Sequence, residues 1–415
     1  MTSKRLVLAY SGGLDTSVAV KWIQEEWGYE VVALAVDVGQ EPHADAAYWD
    51  AIKQRALSAG AIEARVVDAR EEYASRYVAN AIRANALYEG KYPLVSSLSR
   101  PVITRHLVAA ARDVNADAVA HGCTGKGNDQ VRFEVSLRTL APDLEVLAPV
   151  RVWGFSRADS IAYAKQFGIP ITASLEKPYS VDENIVGRAV ECGAMEDPWN
   201  APPDDIYERT SAVADAPKDV LECVIGFERG TPVTLDGVPT PLHLMLPELD
   251  EMVGAYGFGR VDMVENRRVG IKSREVYECP GALALILAHA DLESITLERD
   301  VMREKSRLET RWAETVYDGL WYSPLREAFD AFIESTQKHV TGEVRLQLQP
   351  GQCVVVGRRA ERGLYDYRLA TYESDDAFRH EDAAGFVRLW GLSVETWSKR
   401  QRVEEPAVPA PNRQS

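Results

Sequence analysis

Short apolar runs and longer stretches of helical period alternate along the first 170 residues. Arg5–Tyr10 (RLVLAY) and Glu30–Val38 (EVVALAVDV) have the length and content of buried strands, and Ala64–Asp68 (ARVVD), Ala116–Ala120 (ADAVA) and Glu145–Pro149 (EVLAP) follow in the same manner. Between the first two, Thr16–Trp27 sets Val18, Ala19, Trp22 and Ile23 at helical spacing, and Tyr48–Ala59, Glu71–Ala86 and Thr104–Asn115 predict further helices. Strand, helix, strand at this rhythm implies right-handed crossovers and a parallel sheet covered on both faces. Such α/β sheets take ligands at the carboxyl ends of their strands.

From about Ile171 the texture changes. Val220–Phe227, Gly230-Thr-Pro, Thr234-Leu-Asp-Gly-Val and Arg260–Val264 predict short antiparallel strands with turns between them. Helical stretches are expected at Ala282–Lys305 and Arg311–Tyr317, and Glu343–Leu348 with Cys353–Gly357 flank Pro350-Gly351 as a hairpin. This predicts a second, α+β domain. Residues Leu364–Trp397 then keep many bulky groups, among them Tyr365, Phe386, Trp390 and Trp397, after the last clear hairpin. An arm that buries such groups on a partner is the expectation. The tail Val403–Ser415 has almost nothing to bury and is expected to be disordered. The expected divisions are 1–172, 173–363, 364–400 and 401–415.

Composition narrows the partners. The chain has 415 residues and a formal net charge of −16, from 63 acidic and 47 basic side chains. That excess repels polyanions, so a general nucleic-acid partner is disfavoured while a local site for a small anion is allowed. The apolar run Leu6–Ala9 stops too soon for a signal peptide, and no segment approaches a membrane span. Five cysteines without a Cys-x-x-Cys and seven histidines without ligand spacing point to a reduced cytoplasm and no structural zinc.

The chemistry begins where the first strand meets the first helix, at Ala9-Tyr10-Ser11-Gly12-Gly13-Leu14-Asp15-Thr16-Ser17. Two glycines permit a tight turn and let backbone N–H groups approach an anion. The following helix adds its positive N-terminus, and Thr16 and Ser17 add hydroxyl donors. The string is neither a Walker A loop nor a dinucleotide fingerprint. It resembles the Ser-Gly-Gly-x-Asp-[Ser/Thr]-Ser loop of enzymes that cleave ATP between the α- and β-phosphates. A purely structural capped turn is the bland alternative. Asp15 repels phosphate unless a cation lies between them, which implies Mg²⁺; as a helix N-cap it would need no metal.

A second polar cluster follows the strand ADAVA, at His121-Gly122-Cys123-Thr124-Gly125-Lys126-Gly127-Asn128-Asp129-Gln130-Val131-Arg132-Phe133. Ala120 and Gly127 rule out a Walker A loop around Gly125-Lys126. Together, AYSGGLDTS and GCTGKGNDQVRF resemble the paired signatures of the argininosuccinate synthase family. ALYEGKYPL (86–94), KPYSVDEN (177–184), VDMVENRRVGIKSREVYE (261–278) and VYDGLWYSP (316–324) extend the likeness over nearly the whole chain, to about Trp397.

The resemblance implies an adenine nucleotide alpha hydrolase-like domain followed by a synthetase domain, and a C-terminal arm that reaches neighbouring subunits of a homotetramer. It implies condensation of citrulline with aspartate, with ATP split to AMP and diphosphate through a citrullyl-adenylate. By this likeness Ala9 to Ser17, Val36 and Gly122 contact ATP. Thr124, Asn128 and Asp129 hold aspartate, and Tyr88, Asn128, Arg132, Ser180, Glu265 and Tyr277 hold citrulline. The residue chemistry agrees: Asp129 can accept from an ammonium, Arg132 suits a carboxylate, and Glu265 and Ser180 suit N–H groups. Lys126 can neutralise phosphate charge or be a solvated loop lysine, and Tyr88 and Tyr277 can equally be core aromatics. Asp15 and Lys126 are the candidate catalytic groups; the metal ligands are unspecified. The chain departs from the family at Ala189, where many members carry Ser, with Arg188 a candidate replacement, and at Cys123, where Ala is common.

Three other classes are weighed on the same residues. A tRNA-modifying enzyme with this loop would show a basic surface or a cysteine pair, and an amidotransferase synthetase a nucleophilic Cys motif; neither is present. A non-catalytic nucleotide sensor would need no second polar cluster and no C-terminal half of this size.

Overall fold

In the computed structural model the described residues are 4–41, 44–170 and 179–402. The expected boundary at 172/173 and the tail from Val403 lie outside them. The chain divides into two compact units, Met1–Leu364 and Tyr365–Ser415.

The first unit opens with the expected parallel sheet. Strands β1 (Arg5–Ala9), β2 (Glu30–Asp37), β3 (Glu63–Asp68), β4 (Ala118–Ala120) and β5 (Glu145–Leu147) pair in the order β3-β2-β1-β4-β5. All four pairings are parallel. The central strands are apolar on both faces because helices cover both: Val31–Ala35 are at most 3% exposed. The order reverses between β1 and β4, so the crevice beside their carboxyl ends is the natural ligand site of this topology.

Helices α1 (Leu14–Trp27) and α2 (Ala46–Ser58) lie near their expected places. The helical run expected at Glu71–Ala86 is α3 (Arg70–Tyr73), a π turn (Ala74–Val78) and α4 (Ala79–Arg83); the chain leaves it at Asn85, whose φ is +44°. The helix expected at Thr104–Asn115 is corrected to α5 (Val95–Asp113), with Pro101 inside it. α6 (Asp129–Leu140), α7 (Pro149–Trp153) and α8 (Arg157–Gln166) complete this part.

Two antiparallel sheets follow. One is ordered β11-β12-β7-β6, from β6 (Ser180–Asn184), β7 (Gly187–Glu191), β11 (Arg260–Asn266) and β12 (Lys272–Glu278). The other is ordered β10-β9-β8-β13-β14, from β8 (Leu221–Glu228), β9 (Thr231–Leu235), β10 (Val238–Pro239), β13 (Gly342–Gln349) and β14 (Gln352–Arg359). α9 (Leu242–Gly254) and α10 (Pro280–Thr296) pack together, and α10 also lies against β13 and β14. The long helix expected at Ala282–Lys305 is two helices. Leu297 is extended, and Glu298 caps α11 (Arg299–Tyr317) by accepting from the N–H groups of Asp300 and Val301. α12 (Pro324–Thr336) precedes the β13–β14 hairpin. The second unit holds α13 (Tyr367–Ala370) and α14 (His380–Gln401), neither with a buried residue.

Candidate active site

Both glycine-rich segments leave adjacent strands at the switch point, one after β1 and one after β4. The Tyr10 N–H continues the β1–β2 ladder to Leu34 O at 2.9 Å, and its hydroxyl meets Ser17 Oγ at 2.9 Å. Gly12 has φ +76°, and a Cβ there would stand 2.6 Å from Ile52 Cδ1, so conformation and space both require glycine. Arg55 Nη1 donates to Gly12 O at 2.6 Å and holds the turn from outside. Gly13 is the N-cap of α1, with no side-chain cap. Asp15 lies exposed in the first turn and does not cap the helix. The second loop comes close to the first, since a Cβ at Gly122 would be 2.9 Å from Thr16 Cγ2.

Two cavities meet here. The first, of about 440 Å³, is lined by Ala9, Tyr10, Ser11, Thr16, Val36 and Gly122 of the expected nucleotide set. Leu34, Val38, Ile103 and Phe133 add apolar wall. Gly12, Gly13, Leu14 and Asp15 shape the turn without lining this cavity, and Ser17 is buried beneath it. The second cavity, of about 360 Å³, gathers Thr124, Asn128, Asp129, Arg132, Ser180, Glu265 and Tyr277. Ser11, Arg100, Gly122, Cys123, Asp129, Val181 and Asp182 line both, so the cavities are contiguous.

Electrostatics divide the second cavity. At one pole Arg100 donates to Asp129 Oδ2 from Nε (2.9 Å) and Nη2 (2.7 Å), and Nη2 also reaches Asp182 Oδ2 at 2.6 Å. Arg132 Nη1 donates to Asp129 Oδ1 at 2.8 Å, its Nε to Tyr317 O at 3.1 Å, and its guanidinium lies 4.9 Å from the Tyr317 ring centre. Burial alone would raise the Asp129 pKa, but the two arginines hold it down at about 2. At the other pole the Tyr277 hydroxyl lies 3.0 Å from Glu265 Oε2 and 2.9 Å from Glu275 Oε2. Burial and the neighbouring Glu275 push the Glu265 pKa up to about 8, against the pull of Arg132. Asn128 has both amide ends engaged, donating to the Tyr317 hydroxyl at 2.7 Å and accepting from Arg268 N–H at 2.8 Å.

Three expected residues stand elsewhere. Tyr88 stacks on Tyr317 at 3.6 Å between ring centres and donates to Asn266 O at 2.8 Å, outside both cavity walls. Lys126 is exposed and lines neither. Arg188 does not replace the missing serine: β7 turns Ala189 to the cavity and sends Arg188 the other way, to Glu183, Ile206 O and Glu208. Arg100, Asp182, Glu191, Arg267 and Glu275 were not foreseen. Glu275 was recoverable, because Ser273, Glu275 and Tyr277 alternate onto one face of a strand inside a stretch that carries the family likeness. Arg100, beside a proline in a helix, gave no signal.

Two family models match the chain: "Arginosuccinate synthase N-terminal HUP domain" over residues 5–170 and "Arginosuccinate synthase C-terminal domain" over 179–397. The chain belongs to the argininosuccinate synthase family. The argininosuccinate synthase of Bacillus licheniformis is 55% identical over 97% of this chain and 98% of its own. Those of Geobacillus kaustophilus (53%, 99% of each chain) and Bacillus subtilis (53%, 97% and 98%) are as near. As a member of the argininosuccinate synthase family the chain is a ligase of arginine biosynthesis with ATP as co-substrate. Among the described residues no helix is long and apolar enough to cross a membrane.

Proposed function

We propose that the first cavity seats ATP and the second citrulline and aspartate, and that the protein joins them through a citrullyl-adenylate to give argininosuccinate, AMP and diphosphate. The observation that carries this reading is the continuity of the two cavities across Ser11, Gly122 and Asp129. It allows a ureido oxygen from one side to meet the α-phosphate from the other. That oxygen is a poor leaving group until it bears the adenylyl group; diphosphate departs, and the aspartate amine then displaces AMP at the ureido carbon. The residues bind and orient for this in-line exchange. Leu34, Val36 and Phe133 take the adenine, and the N–H groups of the Ser11–Gly13 turn and the α1 N-terminus take the phosphates. Thr124, Asn128 and Asp129 take aspartate, and Arg132, Ser180, Glu265 and Tyr277 take citrulline. Asp129, with a pKa of about 2, orients the aspartate ammonium and is too weak a base to deprotonate it.

Asp15 fits a Mg²⁺ ion brought by the nucleotide, since its carboxylate is exposed and free of capping duty and Mg²⁺ is commonly held by one or two carboxylates with phosphate oxygens. Bound there, the ion would neutralise phosphate charge. In this reading residues 1–172 form the nucleotide domain, 173–363 the synthetase domain and 364–400 an arm that assembles a cytoplasmic homotetramer. The apolar Phe386, Leu389, Trp390 and Trp397 of α14, each at least 53% exposed, support the arm. The net charge of −16 supports small-molecule partners over nucleic acid. Steady-state release of diphosphate from ATP tests the proposal. It should require citrulline and aspartate together, and turnover of ATP without aspartate would overturn it.

A further inference from the structure

The loop between β4 and α6 borders both cavities and contains glycines at 122, 125 and 127, so its own backbone has little to fix it. A ring of side chains, open only where His121 Nε2 and Glu134 Oε1 stand without a hydrogen bond, lies behind it. Gln130 Nε2 donates to Gly125 O at 2.6 Å and to Gly127 O at 3.1 Å. Gln130 Oε1 in turn accepts from Arg151 Nη1 at 3.0 Å. Arg151, on α7, also sits 2.6 Å from Glu134 Oε1, which is 3.5 Å from His121 Nε2. His121 is fully buried at the end of β4, and its Nδ1 accepts the Cys123 N–H at 3.2 Å. That bond assigns the imidazole proton to Nε2, facing the carboxylate. His121 and Arg151 hold the Glu134 pKa down at about 2, so the carboxylate stays ionised between them. The ring therefore starts at the loop's first residues and returns at its last carbonyls. Neither Gln130 nor Arg151 lines a cavity.

We propose that Gln130, Arg151, Glu134 and His121 act as a clamp that pre-forms the 122–128 loop, with Gln130 and Arg151 positioning residues for aspartate binding. The inference rests on the assignment of Thr124, Asn128 and Asp129 to aspartate. Without the clamp the bound substrate would have to order a glycine-rich segment itself, and that cost is subtracted from affinity. The clamp differs from the bonds that Tyr317 and Arg268 make to Asn128, because it grips the loop's backbone rather than a substrate-facing side chain.

Gln130→Glu keeps the shape but replaces the donor to two carbonyls with a carboxylate. Arg151→Met removes the link to Gln130 and also unpairs Glu134, so it is made together with Glu134→Gln, which leaves no stranded charge. In both, KM for aspartate should rise about tenfold while kcat moves much less, the scale of one lost charge-assisted hydrogen bond. Arg151→Lys should recover part of the loss. Exposed Lys126 supplies a second readout, because trypsin should cut after it faster in the free variants than in the free wild type at unchanged melting temperature. Thr124→Ala serves as the reference. If it raises KM for aspartate while Gln130→Glu and Arg151→Met change neither that constant nor cleavage at Lys126, the clamp is wrong. If Thr124→Ala leaves KM for aspartate unmoved, the aspartate assignment falls instead. The tryptic rates then decide the clamp alone, with rates equal to wild type overturning it.

Discussion

Gly13, rather than Asp15, caps α1, so the Asp15 carboxylate owes the helix only its favourable place near the dipole. Desolvation raises its pKa against the pull of Arg157, so the charge brings the fold no net gain and Asp15→Asn should leave stability unchanged or slightly higher. Its effect on turnover should be near 10²-fold, the scale of losing one electrostatic contact in the transition state. Parallel urea titrations and initial rates check this; a stable variant with normal turnover would remove Asp15 from the phosphate site. Arg132 already uses its Nε and one Nη1 hydrogen on Tyr317 and Asp129, which leaves three N–H groups for a substrate carboxylate. Arg132→Lys should raise KM for citrulline by the equivalent of about 1–3 kcal/mol. A larger change in the aspartate constant would mean the two amino acids exchange places. At the far pole one Tyr277 hydrogen serves two carboxylates, and Glu265, with a pKa near 8, keeps a proton at neutrality. An incoming ammonium needs the ionised form. Citrulline binding should thus tighten about tenfold per pH unit as pH rises towards 8 and then level off. Calorimetry at pH 7 in buffers of different ionisation enthalpy should count close to one proton released per citrulline, and none in Glu265→Gln. Release of no proton by the wild type would contradict a protonated Glu265. The glycine loops were legible because tight turns against ligands leave few residue choices. Arg100 was not, because its partners Asp129 and Asp182 lie 29 and 82 positions away in the chain.

Elements with an unbroken hydrophobic period were read to within a residue or two, and β1 to β5 are of this kind. Those that misled carry polar groups for a reason. β6 (SVDEN), β7 (GRAVE) and β12 (KSREVYE) look unlike strands because one face of their sheet is the cavity wall, so function displaced the apolar alternation. Pro101 and Pro247, both inside helices, hid the start of α5 and the whole of α9. The α10–α11 break carries no Gly or Pro to mark it, and α11 buries Lys305 against Glu293 of α10 as though it were core. Its Nζ lies within 3.0 Å of both Glu293 oxygens and 2.6 Å from Glu309 Oε1, and it is 1% exposed. Asn85 and Gln337 complete the cluster by donating to the same carboxylates. Lys305→Met should lower the unfolding free energy by about 3–5 kcal/mol at pH 7, because it strands the buried Glu293 carboxylate and takes a partner from half-buried Glu309. Denaturant unfolding measures it, and the loss should shrink at pH 4, where protonation relieves the stranded charge. An unchanged midpoint would mean that Asn85 and Gln337 suffice.

Across the whole molecule, the compact unit ends at Leu364 and the remaining helices bury nothing of their own. A chain stopped after Gly363 should stay folded and run as a smaller species on a sizing column with light scattering; a tetramer would place the contacts elsewhere. Within the compact unit, the first cavity depends mainly on strands complete by residue 147, whereas Glu191, Glu265, Glu275 and Tyr277 of the second come later. A ribosome adding about 5–20 residues per second needs roughly 10–40 s to travel from residue 170 to residue 364. Through that interval the Ser11–Gly13 turn has been made and the later strands that wall the second cavity are still being added. Whatever order its segments fold in, a growing chain completes the Glu265 and Glu275 wall last.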